Sequence, residues 1–412
     1  MKLAIIGGGP IGTAALAHAL EHNLEATLFE ASHEIGHAVR QWGHVKMFSP
    51  AAWNIDRSCA LLLRQSGWSP TNLPVYLTGG LLVSDYLEPL AQLPAMADHI
   101  RFGHHVHRVE RRADSSFLLH FSDEESETSF ECNYVIDASG TWFNPRQLRL
   151  FDDNVNPLLH YHIPDKAEAR NYCDKTIAVV GMGDSACNSI FELTALGCVN
   201  VIWLQSGASV DEILDRKKDT VGVLKEHADK LSRLIQEGSL DIINEFNVES
   251  VCCRSHDGAR IIVRSEAGNE VVVDEIVANI GFQPDLDLYN SLELEIDPRL
   301  RCPVGVGKRL ADSGGRSALT IDGAKLAAYA MDYDAAELRI DPGGRLFVVG
   351  MKSYGTHPGF LLKNGYQQVE AVIGALARQR IQVRRLNHGI AGCTQVAVAL
   401  VVGHHQDDIG RC

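Results

Sequence analysis

The sequence predicts an α/β fold built from two parallel-sheet units, one of them interrupted by the other. Three observations carry this expectation. An apolar run at 3–6 breaks into Gly7-Gly8-Gly9 and then into an alanine-rich stretch at 13–21. The same order returns at 176–180, Gly181-Met182-Gly183 and 184–196. Two further apolar runs end abruptly in small residues, at Ala138-Ser139-Gly140 and at Ala278-Asn279-Ile280-Gly281.

Taken in order, residues 3–6 read as a buried parallel strand, because the run is apolar throughout instead of alternating. Residues 13–21 are rich in good helix formers. Residues 26–29 form a second strand, closed by Glu30, which completes a βαβ unit with a right-handed crossover. Segments 117–121 and 131–136 alternate like antiparallel strands around a polar turn at 122–129. Residues 144–174 are rich in Pro and polar groups and read as a linker. Strand 176–180, helix 184–196 and strand 199–204 make the second unit, about 170 residues after the first, so it is a second domain and not a tandem repeat. Segments 260–263 and 270–277 read as strands, 301–335 as an irregular Gly-rich insertion, 346–349 as a late buried strand and 366–378 as a helix. The tail beyond about residue 385 receives no role.

The bulk numbers agree with a folded, multi-domain protein. Of 412 residues, 45% are hydrophobic and 22% charged, and the formal net charge is −14. That charge disfavours nucleic acid or an anionic membrane surface as the main partner. None of the ten cysteines forms a CxxC pair or a zinc-ligand spacing, a pattern that fits free thiols in a reducing cytoplasm. Cys252-Cys253 is a vicinal pair, read as ordinary thiols ahead of a redox pair. His104, His105 and His107 cluster, and are read as a solvated strand edge ahead of a metal site, so no metal is expected. The chain opens with a strand running straight into glycines, unlike a signal peptide. No apolar run approaches the roughly 20 residues of a membrane span.

The first glycine motif is Gly7-Gly8-Gly9-Pro10-Ile11-Gly12. Gly7 permits the tight turn, Gly9 lets a pyrophosphate approach the backbone, and Gly12 lets helix and strand pack closely. The helix N-terminus then turns free N–H groups and a partial positive charge toward the phosphates. Glu30 stands 18 residues after Gly12, where a carboxylate accepts hydrogen bonds from an adenosine ribose. The second motif, Gly181-Met182-Gly183-Asp184-Ser185-Ala186, repeats the setting with Ala186 in the third glycine's place. Its strand ends at Gln205, which is neither an acid suited to NADH nor an Arg suited to NADPH. Arg216, Lys217 and Lys218 lie nearby, as a grip for a 2′-phosphate or as a solvated face. The choice between NADPH and NADH stays open.

Two such motifs imply a pair of Rossmann-like dinucleotide-binding domains. One holds FAD and the other delivers hydride from a nicotinamide. The small residues at Ala138, Ser139, Gly140 and Gly281 sit where the chain crosses between domains close to a cofactor. The expected boundaries are an FAD domain at 1–165 and 283–385, discontinuous around an NAD(P) domain at 166–282, and a tail at 386–412.

These segments, in this order, resemble the flavin-containing monooxygenases and their thioredoxin-reductase-like relatives over roughly residues 1–380. The stretch WGHVKMFSP at 42–50 is similar to small bacterial flavin monooxygenases, including those found beside arsenic-resistance genes. Gly350, Met351, Phe360 and Leu361 match their C-terminal flavin-contacting segment. Ala31, Trp42 and Val106 are further cofactor-binding candidates. The resemblance implies that the loop 44–54 lies over the flavin face, with His44, Ser49 and Asn54 as catalytic candidates and Asn54 beside the oxygen. A helix beginning near Pro358, capped by Thr356, would point its positive end at the flavin, with charge from Lys352 or Lys363. Departures are plain. The redox CxxC of the disulfide reductases is absent, Met351 stands where they carry Asp, and the monooxygenase fingerprint survives only as fragments around His160-Tyr161-His162.

The expected activity is therefore oxygenation of a small sulfur- or nitrogen-containing substrate with NAD(P)H and O2. Two alternatives stand beside it: a reductase for a quinone or small disulfide that inserts no oxygen, and a flavin redox sensor without turnover. A homodimer is compatible with the sequence.

Overall fold

The computed structural model describes residues 1–70, 73–122, 127–150, 153–197, 199–207, 209–211, 213–214, 222–253, 260–312 and 332–403. Its first sheet is wholly parallel, in the order β18-β7-β1-β2-β3. These strands are β1 (Lys2–Ile6), β2 (Glu25–Phe29), β3 (Ile100–Arg101), β7 (Tyr134–Asp137) and β18 (Leu346–Val348). Strands from both ends of the chain thus share one sheet. Register aligns their C-terminal ends: Ile6 pairs with Phe29 and Asp137, and Val348 with Asp137. Gly7, Glu30, Ala138 and Val349 therefore emerge together along one edge, where open α/β sheets bind ligands.

The second sheet, β11-β10-β9-β15-β8, is also parallel. It contains β8 (Leu159–His160), β9 (Thr176–Val180), β10 (Asn200–Leu204), β11 (Asp241–Ile243) and β15 (Glu275–Ala278). Val180 pairs with Leu204 and Ala278, so Gly181, Gln205 and Asn279 follow at a common edge. Two three-stranded antiparallel sheets flank these layers. One is β4 (His105–Arg111), β5 (Phe117–Ser122) and β6 (Glu127–Cys132). The other is β12 (Val248–Cys253), β13 (Ile261–Ser265) and β14 (Glu270–Val273).

Helix α1 (Pro10–Glu21) is buried on nearly every face. Its Ala14, Ala15, Leu16, Ala17 and Ala19 share one core with β1 and with Val369, Val372 and Ile373 of the C-terminal helix. Small alanines let α1 lie between the sheet and that helix without a gap. The remaining helices named here are α2 (Asp184–Thr194), α3 (Val223–Gln236), α4 (Val304–Asp312) and α5 (Leu362–Gly403).

Several expectations are corrected. The single strand 131–136 is two strands in different sheets, broken at Asn133, whose Oδ1 accepts the Lys2 N–H at 2.8 Å and ties the break to β1. Part of the expected polar turn, residues 127–129, belongs to β6. Segment 270–277 likewise splits at Asp274, whose carboxylate accepts the Thr176 N–H at 2.7 Å. The linker 144–174 contributes β8 to the second sheet. The insertion at 301–335 contains β17 (Cys302–Pro303) paired with β16 (Ile296–Asp297), then α4; residues 313–331 lie outside the described ones. The last helix starts at Leu362, not near Pro358, and Thr356 is no cap: its N–H donates to Leu300 O at 2.9 Å. That helix runs through much of the expected tail, to Gly403. Cys173 is disulfide-bonded, against the reading of uniformly free thiols. Among the described residues no helix is long and apolar enough to cross a membrane, and no cluster of His, Cys, Asp or Glu is arranged to hold a metal.

Candidate functional site

The first glycine turn is shaped by close backbone approaches. Gly7 has φ +101°, and a Cβ there would stand 2.7 Å from Ser139 Cα. A Cβ on Gly12 would stand 1.9 Å from Gly7 O. Glu30 fastens the turn from the side: its Oε2 accepts the Gly8 N–H at 2.6 Å and its Oε1 accepts the Ser32 N–H at 2.9 Å. A carboxylate has about four lone-pair positions, so each oxygen keeps one for a ribose hydroxyl. Gly9 differs from Gly12. A Cβ there would meet nothing within 4 Å, and the residue faces a cavity.

That cavity has a volume of about 660 Å³. It brings together Gly7, Gly9, Pro10, Ile11, Glu30, Ala31, Trp42, Ser49, Val106, Ala138, Ser139, Gly140, Gly350, Met351, Phe360 and Leu361, all expected from the sequence. Asp184 and Ser185 at the start of α2 line the same space. These walls fit FAD: an open glycine cradle, a helix N-terminus, a ribose-facing carboxylate and mostly apolar sides. Gly12 stands behind the turn, where close packing is its use.

The loop 44–54 borders the cavity through Val45, Lys46, Met47, Phe48 and Ser49. Asn54 does not reach it. Asn54 is wholly buried; its Oδ1 accepts the Ser49 hydroxyl at 2.8 Å and its Nδ2 donates to Ser49 O at 3.0 Å. The direct role beside oxygen expected of Asn54 is corrected to that of a brace for Ser49, since its polar groups are already engaged. His44 also turns away, toward Asp165 at 3.7 Å. Lys363 sits over the Trp53 ring and does not line the cavity.

Sequence reasoning named Lys352 as a source of charge but missed the buried acid it pairs with, Asp137. Lys352, 1% exposed, places Nζ 2.6 Å from Asp137 Oδ2 and 3.1 Å from Ser139 Oγ. Asp137 also accepts the Tyr289 hydroxyl at 2.6 Å and the Ser139 N–H at 2.9 Å. Burial pushes the Asp137 carboxyl up, but the Lys352 ammonium and these hydrogen bonds outweigh it and leave the group below its usual range. The signal was available in one respect: an acid at the end of an apolar central strand must find a partner. The partner, more than 200 residues away, was not legible.

The second turn repeats the first. Gly181 has φ +133°, and a Cβ there would be 2.4 Å from Asn279 O. Gly183 precedes α2 with φ −89° and ψ −178°, against −79° and −177° for Gly9 before α1. A Cβ on Gly183 again meets nothing within 4 Å. Ala186 is buried in α2. Gly181, Gly183 and Ala186 thus shape their own turn and do not line the first cavity. Gln205 is wholly buried, hydrogen-bonded through Nε2 to Asn244, with Oε1 lacking a partner. Arg216, Lys217 and Lys218 lie outside the described residues. Gly281 belongs to the second crossing segment, where its carbonyl accepts the Arg146 N–H at 3.0 Å. Next to it Phe282 stacks on Trp142, from the first crossing, at 5.3 Å between ring centroids.

Comparison with known proteins agrees with this layout. The chain is 26% identical over 225 residues to flavin-containing monooxygenase 3 of Macaca mulatta, covering 51% of this chain and 41% of that protein. It therefore spans less than half the length of that relative. It is 21% identical over 302 residues to a ferredoxin–NADP reductase of Ligilactobacillus salivarius, covering 71% of this chain and 75% of the other. The bacillithiol disulfide reductase of Bacillus cereus superposes with a TM-score of 0.70 at 15% identity, covering 92% of this chain and 99% of that one. That likeness concerns the fold alone. Residues 4–303 match the pattern of the pyridine nucleotide-disulphide oxidoreductases, and the chain belongs to that family.

Proposed function

We propose that the protein is an NAD(P)H-dependent FAD monooxygenase that oxygenates a small sulfur- or nitrogen-containing compound. The coarser half of this reading, an FAD oxidoreductase drawing on NADPH or NADH, rests on family membership and on the two glycine turns. In it, residues 1–165 and 283–385 serve FAD and 166–282 serve the nicotinamide. The finer half rests on one observation: the cavity at the first turn is lined mostly by apolar groups and, among the described residues, by no cysteine. A disulfide reductase needs a thiol pair where the electrons leave, and none stands there.

When bound, FAD supplies hydride acceptance and oxygen activation. The chain's own part is binding, orientation and exclusion of water. Gly9 and the start of α1 receive the pyrophosphate. Glu30 receives the ribose. Trp42, Met47 and Phe48 wall off water from the reacting end. Ser49, braced by Asn54, presents the one hydroxyl of that loop. Gln205, wholly buried at the end of β10 and bonded to Asn244, supports the second turn from behind and does not reach the nucleotide.

A second reading, a reductase that inserts no oxygen, has support from the ferredoxin–NADP reductase relative, which covers more of the chain. A redox sensor without turnover is the third. One experiment separates them. Purified protein is reconstituted with FAD and supplied with NADPH or NADH, air and dimethyl sulfide as probe, and nucleotide consumption and sulfoxide are measured together. Sulfoxide formed in proportion to nucleotide consumed supports monooxygenation. Consumption without sulfoxide, accelerated by an added quinone, supports the reductase. No steady consumption supports the sensor.

A further inference from the structure

We propose that His227 is a positioning residue for the nicotinamide nucleotide: its imidazole draws the Asp184 carboxylate back from the second glycine turn, so that the nucleotide's pyrophosphate takes the N-terminus of α2. The proposal rests on the reading of that turn as the nicotinamide-nucleotide site and adds to it the pair that clears it.

The turn sets an obstacle before an incoming anion. Gly183 leaves open space where a Cβ would stand, and α2 begins immediately after it with Asp184. Free N–H groups and partial positive charge gather at a helix N-terminus and attract an anion. A carboxylate at the first helical position takes that field for itself and repels a pyrophosphate. Asp184 lines the cavity, as do Ser185 and Asn188 of the same helix, so its charge is felt in the ligand space.

His227 is placed to answer this. It lies near the start of α3, is 8% exposed, and makes a T-shaped contact with Phe191 of α2 at 5.3 Å between ring centroids. Its Nδ1 is buried, has no hydrogen-bond partner and stands 3.6 Å from Asp184 Oδ1. A shift of about 0.7 Å by the carboxylate closes that gap to ordinary hydrogen-bond length. A buried nitrogen left unsatisfied is costly to keep, and an apolar ring would pack on Phe191 without that cost. A partner that arrives when the nucleotide pushes Asp184 back explains the imidazole. Other charges on the two helices are engaged elsewhere: Glu192 with Lys166 at 3.4 Å, Glu226 with Lys46 at 3.0 Å, and Lys230 over the Phe191 ring at 4.4 Å. The start of α3 is itself anchored. Gly222 has φ +66°, and a Cβ there would stand 2.0 Å from the Tyr76 hydroxyl oxygen, while Lys46 holds Glu226 one residue before His227. His227 therefore keeps its place, and the member of the pair that moves is the Asp184 side chain.

The test measures nucleotide binding apart from turnover. The FAD-loaded protein is titrated with NADP+ and, separately, with NAD+ by isothermal calorimetry. The limiting rate of anaerobic flavin reduction by NADPH and by NADH is measured beside it. The set is His227→Asn, which keeps an N–H near the Nδ1 position; His227→Leu, of nearly the same size without one; Asp184→Asn; and Asp184→Asn combined with His227→Leu. His227→Leu is expected to raise the Kd of whichever nucleotide the wild type binds about three- to tenfold, with the limiting reduction rate unchanged. His227→Asn keeps the wild-type affinity. Asp184→Asn binds no more weakly than wild type, and in its background His227→Leu has no further effect, because no charge is left to hold.

Wild-type affinity in His227→Leu overturns the proposal. So do equal losses in the Asn and Leu variants, and a loss from His227→Leu that persists in the Asp184→Asn background. Should His227→Leu fail to fold, Asp184→Asn still decides: binding weaker than wild type shows that the carboxylate assists the nucleotide and refutes the idea. A wild-type protein that binds neither NADP+ nor NAD+ refutes the nucleotide site at the second turn, which is a different result from a wild type that binds and variants that match it.

Discussion

Gly9 and Gly12 lie three residues apart, yet the same substitution should damage different properties. Gly9 has φ −79° and ψ −177°, extended backbone that alanine adopts freely. Its added Cβ meets nothing within 4 Å in the free protein. Gly9→Ala should therefore fold normally and gain up to about 0.4–1 kcal/mol from a less flexible unfolded chain. The methyl group would stand in the cavity, where the pyrophosphate must touch backbone. Loss of that approach is expected to weaken FAD about ten- to hundredfold, or about 1.4–2.8 kcal/mol. In Gly12→Ala the new Cβ would fall 1.9 Å from Gly7 O, where ordinary contact begins near 3.4 Å, so the turn must move by more than an ångström. Overpacking of that kind costs about 1–3 kcal/mol. Thermal melting of the apoproteins and FAD titration followed by flavin fluorescence report the two quantities separately. The expected pattern is an unchanged or slightly raised melting temperature with poor FAD binding for Gly9→Ala, and a lowered melting temperature for Gly12→Ala. Wild-type FAD affinity in Gly9→Ala would refute the placement of the cofactor on this turn.

The other predictions follow from the same structure. Gly183→Ala should leave the protein yellow and raise KM for the nicotinamide nucleotide about tenfold or more, because its conformation matches that of Gly9; steady-state kinetics with intact FAD content checks this. Gln205→Glu should destabilise by about 1–3 kcal/mol or more, because it puts a carboxylate at a wholly buried position and removes the donor to Asn244; urea unfolding measures it, and wild-type stability would show that the position opens to water. Asn54→Ala should destabilise by about 1–3 kcal/mol, because it leaves the buried Ser49 hydroxyl without its acceptor; urea unfolding measures it. Burial pushes the Asp56 carboxyl up, but His18 and the Cys59 N–H outweigh it and hold the group below its usual value. Its contribution to stability is then complete above the unfolded carboxylate pKa of about 3.9 and is lost as pH falls through the lower folded value. Melting temperature should drop below about pH 4, and the drop should be shallower in Asp56→Asn.

What the sequence made legible was whatever depends on local chemistry. A turn that needs three small residues between strand and helix announces itself, and both turns lie where their motifs stand. The strands of the parallel sheets were legible because burial on both faces leaves a continuous apolar run. Failures came where two adjacent apolar runs serve different sheets. At Asn133 and at Asp274 one polar residue separates them, and each makes its decisive hydrogen bond to a backbone N–H distant in sequence, Lys2 or Thr176. Asn54 failed for a related reason. Its composition suits an active-site loop, but which way an amide turns is settled by its neighbours, here Ser49 and Met47.

The clearest case is Asp137. In the sequence it is one polar letter between an apolar strand and three small residues, and the small residues drew the reading. In the fold, β7 lies between β1 and β18, so the end of β7 stands beside the Gly7 turn on one side and the segment carrying Lys352 on the other. Three remote parts of the chain meet there because both ends of the polypeptide share one sheet. The second sheet has a similar edge, with Gly181 beside Asn279, but puts uncharged Asn279 next to its turn, where Ser189 satisfies its Oδ1 at 2.7 Å. The two turns are nearly identical in backbone and differ in what stands next to them. That difference matches the division of labour proposed for them: a fixed charge under a cofactor that stays and changes redox state, and a neutral floor under a nucleotide that must leave after each turnover.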